Sequence, residues 1–137
     1  MPETWRHYAT AGLAYDATLG FADRPGFRCG TCYDFSVFDL DQRRPLPLYE
    51  RPPTVMEVTL LSKAYLGLKP EAALERIVRL ALICRCFSGR FRLLWHNSEL
   101  ITGRQRRFYA DVVSELAACA KAGKPRMTAF ATNGAGP

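Results

Sequence analysis

The 137-residue sequence has no run of about eighteen apolar residues, which excludes a spanning helix. Its first residues, Met1-Pro2-Glu3-Thr4-Trp5-Arg6-His7, lack the apolar core of a secretory leader, so the cytoplasm is the expected compartment. No internal repeat is visible. The five cysteines are odd in number, so a full disulfide framework is not expected and a reducing compartment fits better. Acidic residues are in deficit: 13 Asp and Glu against 19 Lys and Arg, a net charge of +6. That balance permits an acidic-polymer or nucleic-acid partner without demanding one.

The remaining composition is that of a globular chain. Apolar residues make up 48% and charged residues 23%, which excludes a disordered chain, a collagen and a disulfide miniprotein. The length suits one domain. The arginines fall in three places: Arg43-Arg44, then Arg85 with Arg90 and Arg92, then Arg104 with Arg106 and Arg107. This spread argues against one recognition helix, and solvated helix ends and loops are the simpler reading. Nucleic acid is therefore not the expected partner.

Cys29-Gly30-Thr31-Cys32 and Cys84-Arg85-Cys86 together suggest a four-thiolate zinc site. Helical geometry opposes it, because residues i and i+2 on a helix project about 200° apart. A redox motif would need the first pair to open a helix, and Tyr33–Phe38 reads as extended.

The element pattern predicts an α/β chain. A short helix covers residues 3–10, and residues 12–16 form a brief strand ending on Asp16. A loop follows over 17–34, a short strand over 35–38 and a turn over 41–45. Pro45, Pro47, Pro52 and Pro53 keep the next stretch extended. Thr54–Val58 reads as a strand. Pro70 and Glu71 open a helix whose inner stripe is Leu74, Ile77, Val78, Ala81 and Leu82. Phe91–Trp95 reads as another strand. A last helix spans about 105–122, with Phe108, Val112, Leu116 and Ala120 inside and Gly123 as its stop. Residues 124–137 read as a disordered tail. Alternating strands and helices predict mostly parallel strands, three or four of them, with two or three helices.

Working residues of α/β folds gather at the carboxyl ends of strands. Asp16, Glu57 and His96 stand at such ends, and Arg28 lies in the loop after the first strand. His96 can exchange a proton near neutral pH, or it can be a half-buried histidine bonded to backbone. His7 sits in a polar helix and reads as surface. Trp95, Tyr15, Phe27 and Phe35 read as core, with sugar-stacking faces as the alternative.

Tyr15-Asp16-Ala17-Thr18-Leu19-Gly20-Phe21, Gly26-Phe27-Arg28-Cys29-Gly30-Thr31-Cys32 and Leu93-Leu94-Trp95-His96-Asn97, in this order, resemble the polysaccharide deacetylase family, the NodB-homology group. Phe38-Asp39-Leu40 and Val55–Leu60 also fit, and the likeness spans roughly residues 5–118. The resemblance implies the C-terminal portion of a distorted (β/α) barrel, with residues 1–123 as a partial deacetylase-like domain. It implies metal-dependent hydrolysis of N-acetyl groups on amino-sugar polymers, with zinc or another divalent ion as cofactor. It places His96 as general acid, Arg28 as the arginine that tunes a catalytic carboxylate, and Trp95 in the acetyl pocket. Asp16 takes the place of a strand-end carboxylate, and Glu57 stands where an Asp is usual.

The family motifs that carry the base and the metal ligands are absent. The two histidines cannot supply a pair of ligands and an acid. The expected metal set within this chain is therefore none, and the chain alone is expected to be inactive. A homodimer or a missing N-terminal half is the expected partner, beside the carbohydrate. The alternative is a non-catalytic carbohydrate-binding or protein-interaction module.

Overall fold

A computed structural model describes residues 2–122 as a mixed α/β arrangement, with two small sheets and four α-helices among those residues. Helix α1, Pro2–Thr10, lies on the first sheet. Its Trp5, Tyr8 and Ala9 pack against Val37, Leu46 and Leu48. Arg6 fastens the helix by donating to Asp39 at 2.5 and 2.8 Å and to Asp41 at 2.6 Å. The same guanidinium holds the Asp39 carboxyl well below the usual carboxylate range.

The first sheet has β3 (Arg44–Glu50) at its centre, parallel to β1 (Tyr15–Asp16) and antiparallel to β2 (Phe35–Asp39). The sequence predicts mostly parallel strands, and this antiparallel pair departs from it. Its cause is the short turn between them. Asp39 Oδ1 accepts from the N–H groups of Asp41 and Gln42 at 3.0 and 3.1 Å, and Arg43 adopts φ 51°. A connection this short can only return the chain antiparallel.

The proline-rich stretch is also more than an extended connector. Leu46, Leu48 and Glu50 alternate into the buried face of β3, in the two-residue period of a strand. Pro45 and Pro47 share the parity of Tyr49, whose N–H reaches across to Ala14 on the β1 side. Because β1 pairs only with Tyr49 and Glu50, the two proline nitrogens face an edge where no donor is required.

The second sheet is a parallel pair, β4 (Val55–Met56) with β5 (Leu93–Leu94). The strand predicted over 54–58 stops at Met56. Helix α2, Glu57–Leu61, starts there and buries the adjacent Thr59 and Leu60 together. A strand, with its alternating faces, could not do so.

Helix α3, Pro70–Cys86, completes the crossover between β4 and β5. Its buried positions are Ala73, Ile77, Ala81 and Cys84, a stripe rotated from the predicted one toward small residues. Leu74 packs at its flank. Gly89, just beyond the helix, has no room for a side chain, since a Cβ there would collide with the Cys32 sulfur.

Helix α4, Gly103–Lys121, starts ahead of the predicted Gln105 because Thr102 and Gln105 form a capping box. Val112 enters the core, with Phe108 and Leu116 beside it. Ala120, predicted inside, is exposed. A cavity of about 650 Å³ is edged by Ala81 and Cys84 of α3 and Leu116 and Ala120 of α4. Gly123 and the predicted tail lie outside the described residues.

Ile77 touches no solvent and joins α3 to the cluster of Val55, Leu60 and Val112. Ile77→Ala is expected to cost about 2–5 kcal/mol of unfolding free energy, measured by chemical denaturation.

Candidate functional site

The parallel ladder fixes where the site residues emerge. Val55 pairs with Leu93 and Met56 with Leu94, so the segments leaving these strands start side by side. Glu57 opens α2 directly after β4, and His96 follows β5 after Trp95. Glu57 is fully buried. Its Oε1 accepts from the His96 backbone N–H at 2.9 Å and lies 2.5 Å from His96 Nδ1. With Nδ1 turned to Glu57, the other ring nitrogen is the outward one, on a side chain 46% exposed. Glu57 Oε2 is sealed from solvent without a hydrogen-bond partner.

Trp95, the neighbour of His96, turns the other way. Its ring meets Phe108 at 5.8 Å and Tyr109 edge-on at 5.0 Å, and it joins the core cluster. This packing against α4 holds the β5 exit in place. Arg28 donates to the Gly20 carbonyl at 2.8 Å and lines a cleft of about 260 Å³ with Thr18, Phe21, Pro53 and Met56. Met56, which lines that cleft, directly precedes Glu57 in the chain.

Asp16 belongs to the first sheet. It accepts from Trp5 Nε1 at 3.1 Å, from the Thr18 N–H at 3.1 Å and from the Thr18 hydroxyl at 2.9 Å. The strand end is thus tied to α1 and to the loop behind it. The structure therefore brings Glu57 and His96 together, sets Arg28 in an adjoining cleft and leaves Asp16 elsewhere.

Sequence reading misses Glu50, which lies beside Asp16 in register and is fully buried. Burial, and then the Asp16 charge, push its carboxyl up to about 7. The legible signal is its place in the inward Leu46-Leu48-Glu50 alternation.

The five cysteines are free. Cys29 points toward the Leu19 carbonyl, whereas Cys32 packs on Gly89 beside Cys84. Burial pushes the Cys84 thiol up to about 12. Among the described residues no group of three His, Cys, Asp or Glu is arranged to hold a metal ion. No described helix is long and apolar enough to cross a membrane. Compared with protein-family models, with curated proteins and with solved structures, the chain matches none.

Two outcomes are expected. A raised folded-state pKa for an acid means the folded state holds its proton more tightly. Glu50 thus favours folding below its ordinary 4.5, and that contribution is lost as pH rises from there through about 7. Glu50→Gln is expected to raise the thermal midpoint at pH 8 and to leave it nearly unchanged at pH 4. Proton NMR at low temperature is expected to show a far-downfield His96 Nδ1–H resonance, which Glu57→Ala abolishes.

Proposed function

We propose that this chain carries the proton-transfer part of a hydrolytic site for N-acetylated amino-sugar polymers, on a partial barrel of the deacetylase type. The observation that carries the reading is the His96 imidazole, tied at Nδ1 to buried Glu57 at the carboxyl end of a parallel strand pair. The ordered motifs around Asp16, Arg28 and His96 support the substrate class.

In this reading a water activated outside this chain adds to the acetyl carbonyl, and the outward nitrogen of protonated His96 then gives its proton to the amine nitrogen as the carbon–nitrogen bond breaks, leaving acetate and the free amine. Glu57 fixes the tautomer and offsets the charge when the ring is protonated. Trp95 positions His96 from behind, through its packing on α4. Arg28 presents a cation at the neighbouring cleft, where a saccharide oxygen can be bound.

The family reaction uses a divalent metal, and the donors in this chain do not fit one. His7 is exposed on α1, and His96 Nδ1 is occupied by Glu57. None of these residues supplies an activated water. Both strands of the second sheet have an open edge among the described residues. A second copy of the chain or an N-terminal half is the partner that would cover an edge and complete the site.

A second reading, a non-catalytic carbohydrate-binding module, is favoured by one observation. Tyr15 and Tyr49 are register partners in the first sheet and both are exposed; with the Arg51 guanidinium over one face of Tyr15, the Tyr49 ring and the other face of Tyr15 are the aromatic surfaces on which a sugar can stack.

An NMR titration with a chitin tetramer separates the two. The expected perturbations centre on His96, Met56 and Arg28, and His96→Ala weakens binding about tenfold, or about 1.4 kcal/mol. Acetate release by this chain alone is expected to stay at background, with or without added zinc. Shifts confined to Tyr15 and Tyr49, with His96→Ala silent, would replace the hydrolytic reading by the module.

A further inference from the structure

Three guanidinium groups converge on one carboxylate at the seam between the two sheets. Asp34, just before β2, has its Oδ1 held by Arg92 Nη2 at 2.5 Å. Its Oδ2 lies 3.4 Å from Arg51 Nε and 3.7 Å from Arg90 Nε, farther than a good hydrogen bond. Two positive charges are left without a counter-charge. No other acidic side chain pairs with these arginines among the described residues, and residues 123–137 contain no Asp or Glu.

The backbone under each arm is fixed. The Arg51 N–H donates to Asp16 O at 2.8 Å, and its guanidinium lies 4.0 Å over the Tyr15 ring. The Arg90 N–H donates to Cys32 O at 2.8 Å. The Arg92 carbonyl accepts from Thr54 and Val55 at 2.9 and 3.3 Å, which joins the loop ahead of β4 to β5. Arg51 Nε and Arg92 Nη1 are sealed from solvent with no hydrogen-bond partner, an expensive state for cationic donors. Arg90 is 71% exposed and Arg51 41%, so the open side of the cluster faces solvent.

We propose that Arg51, Arg90 and Arg92 form a binding site for a doubly charged phosphate-type oxyanion, seated between Arg51 and Arg90 beside Asp34. Planar guanidinium forks match the several oxygens of such a group, and its two charges match the unpaired pair. Asp34 offsets the mutual repulsion of the arginines and gathers them around the site. It also competes with the ligand. The shared chemistry is a phosphate oxyanion, free or as a sugar phosphomonoester.

The test is a titration of the whole chain with inorganic phosphate and, separately, with N-acetylglucosamine 6-phosphate, at ionic strength held constant by sodium chloride. The arginine Nε–Hε signals are followed by NMR. Saturable shifts at Arg51 and Arg90 are expected. Arg90→Gln is expected to weaken binding about tenfold without moving the thermal midpoint, since that side chain is mostly solvated. Asp34→Asn removes the competitor and is expected to tighten binding at least threefold, roughly the effect of one screened charge. Should Asp34→Asn fail to fold, Arg90→Gln decides. Comparable affinity for both probes supports a site for the free ion, and tenfold tighter binding of the monoester assigns a phosphorylated sugar. Non-saturating shifts that chloride reproduces, or unchanged affinity in Arg90→Gln, overturn the proposal.

Discussion

Val55 pairs with Leu93 and Met56 with Leu94, and this short parallel ladder is the constraint on which the rest of the site hangs. Parallel pairing forces a crossover, and α2 and α3 supply it. The ladder places the first residue of α2 beside the residues leaving β5, so Glu57 meets His96 across 39 residues of sequence. Two paired positions on each strand could not hold alone in water. They are held because Val55 joins Leu60, Ala73, Ile77 and Val112 in one buried cluster, and because the Arg92 carbonyl takes two more N–H bonds at the ladder's start.

Two fully buried glutamates in one small chain meet opposite surroundings. Glu57 is met by an imidazole and a backbone N–H, both able to donate. Glu50 accepts from the Leu19 N–H at 3.4 Å but faces the Asp16 charge in the adjacent strand, which adds to burial in pushing its carboxyl up. Glu50 is therefore driven toward its neutral form and serves the first sheet as a polar core residue. Glu57 sits beside an imidazole whose ring opens to solvent. Its second oxygen has no hydrogen bond, a local cost of the kind that concentrates at working sites.

The two long helices were legible from residues alone, because Pro70, Glu71 and a 3.6-residue apolar pattern mark α3, and the Phe108–Val112–Leu116 spacing marks α4, whereas α2 was hidden in a stretch that reads as strand. The phase of α3 was less legible. Leu74, Val78 and Leu82 outweigh Ala73 and Cys84 in hydrophobicity, yet the smaller residues lie deepest. Strand β3 was hidden by Pro45 and Pro47, since their harmlessness depends on how short β1 is. The strand ends named Asp16, Glu57 and His96 one by one. Their grouping was not legible, because the sequence carries no sign that Asp16 belongs to a different sheet from the other two. Mostly parallel strands were expected, and β1–β3 and β4–β5 are parallel; the antiparallel β2–β3 pair has a local cause, the tight turn that Asp39 stabilises.

The segment from Arg90 to His96 ties the separate features to one another. Arg90 and Arg92 face Asp34 at its start, Leu93 and Leu94 form the ladder, Trp95 anchors it on α4, and His96 closes it on Glu57. Side chains on so short a strand cannot shift independently, because a one-residue slip would exchange the two faces. Such a slip would drive Trp95 away from Phe108 and Tyr109 and withdraw His96 from a carboxylate that has no other donor. The arginine cluster at one end of β5 and the histidine at the other are therefore held by the same register, and what fixes one fixes both.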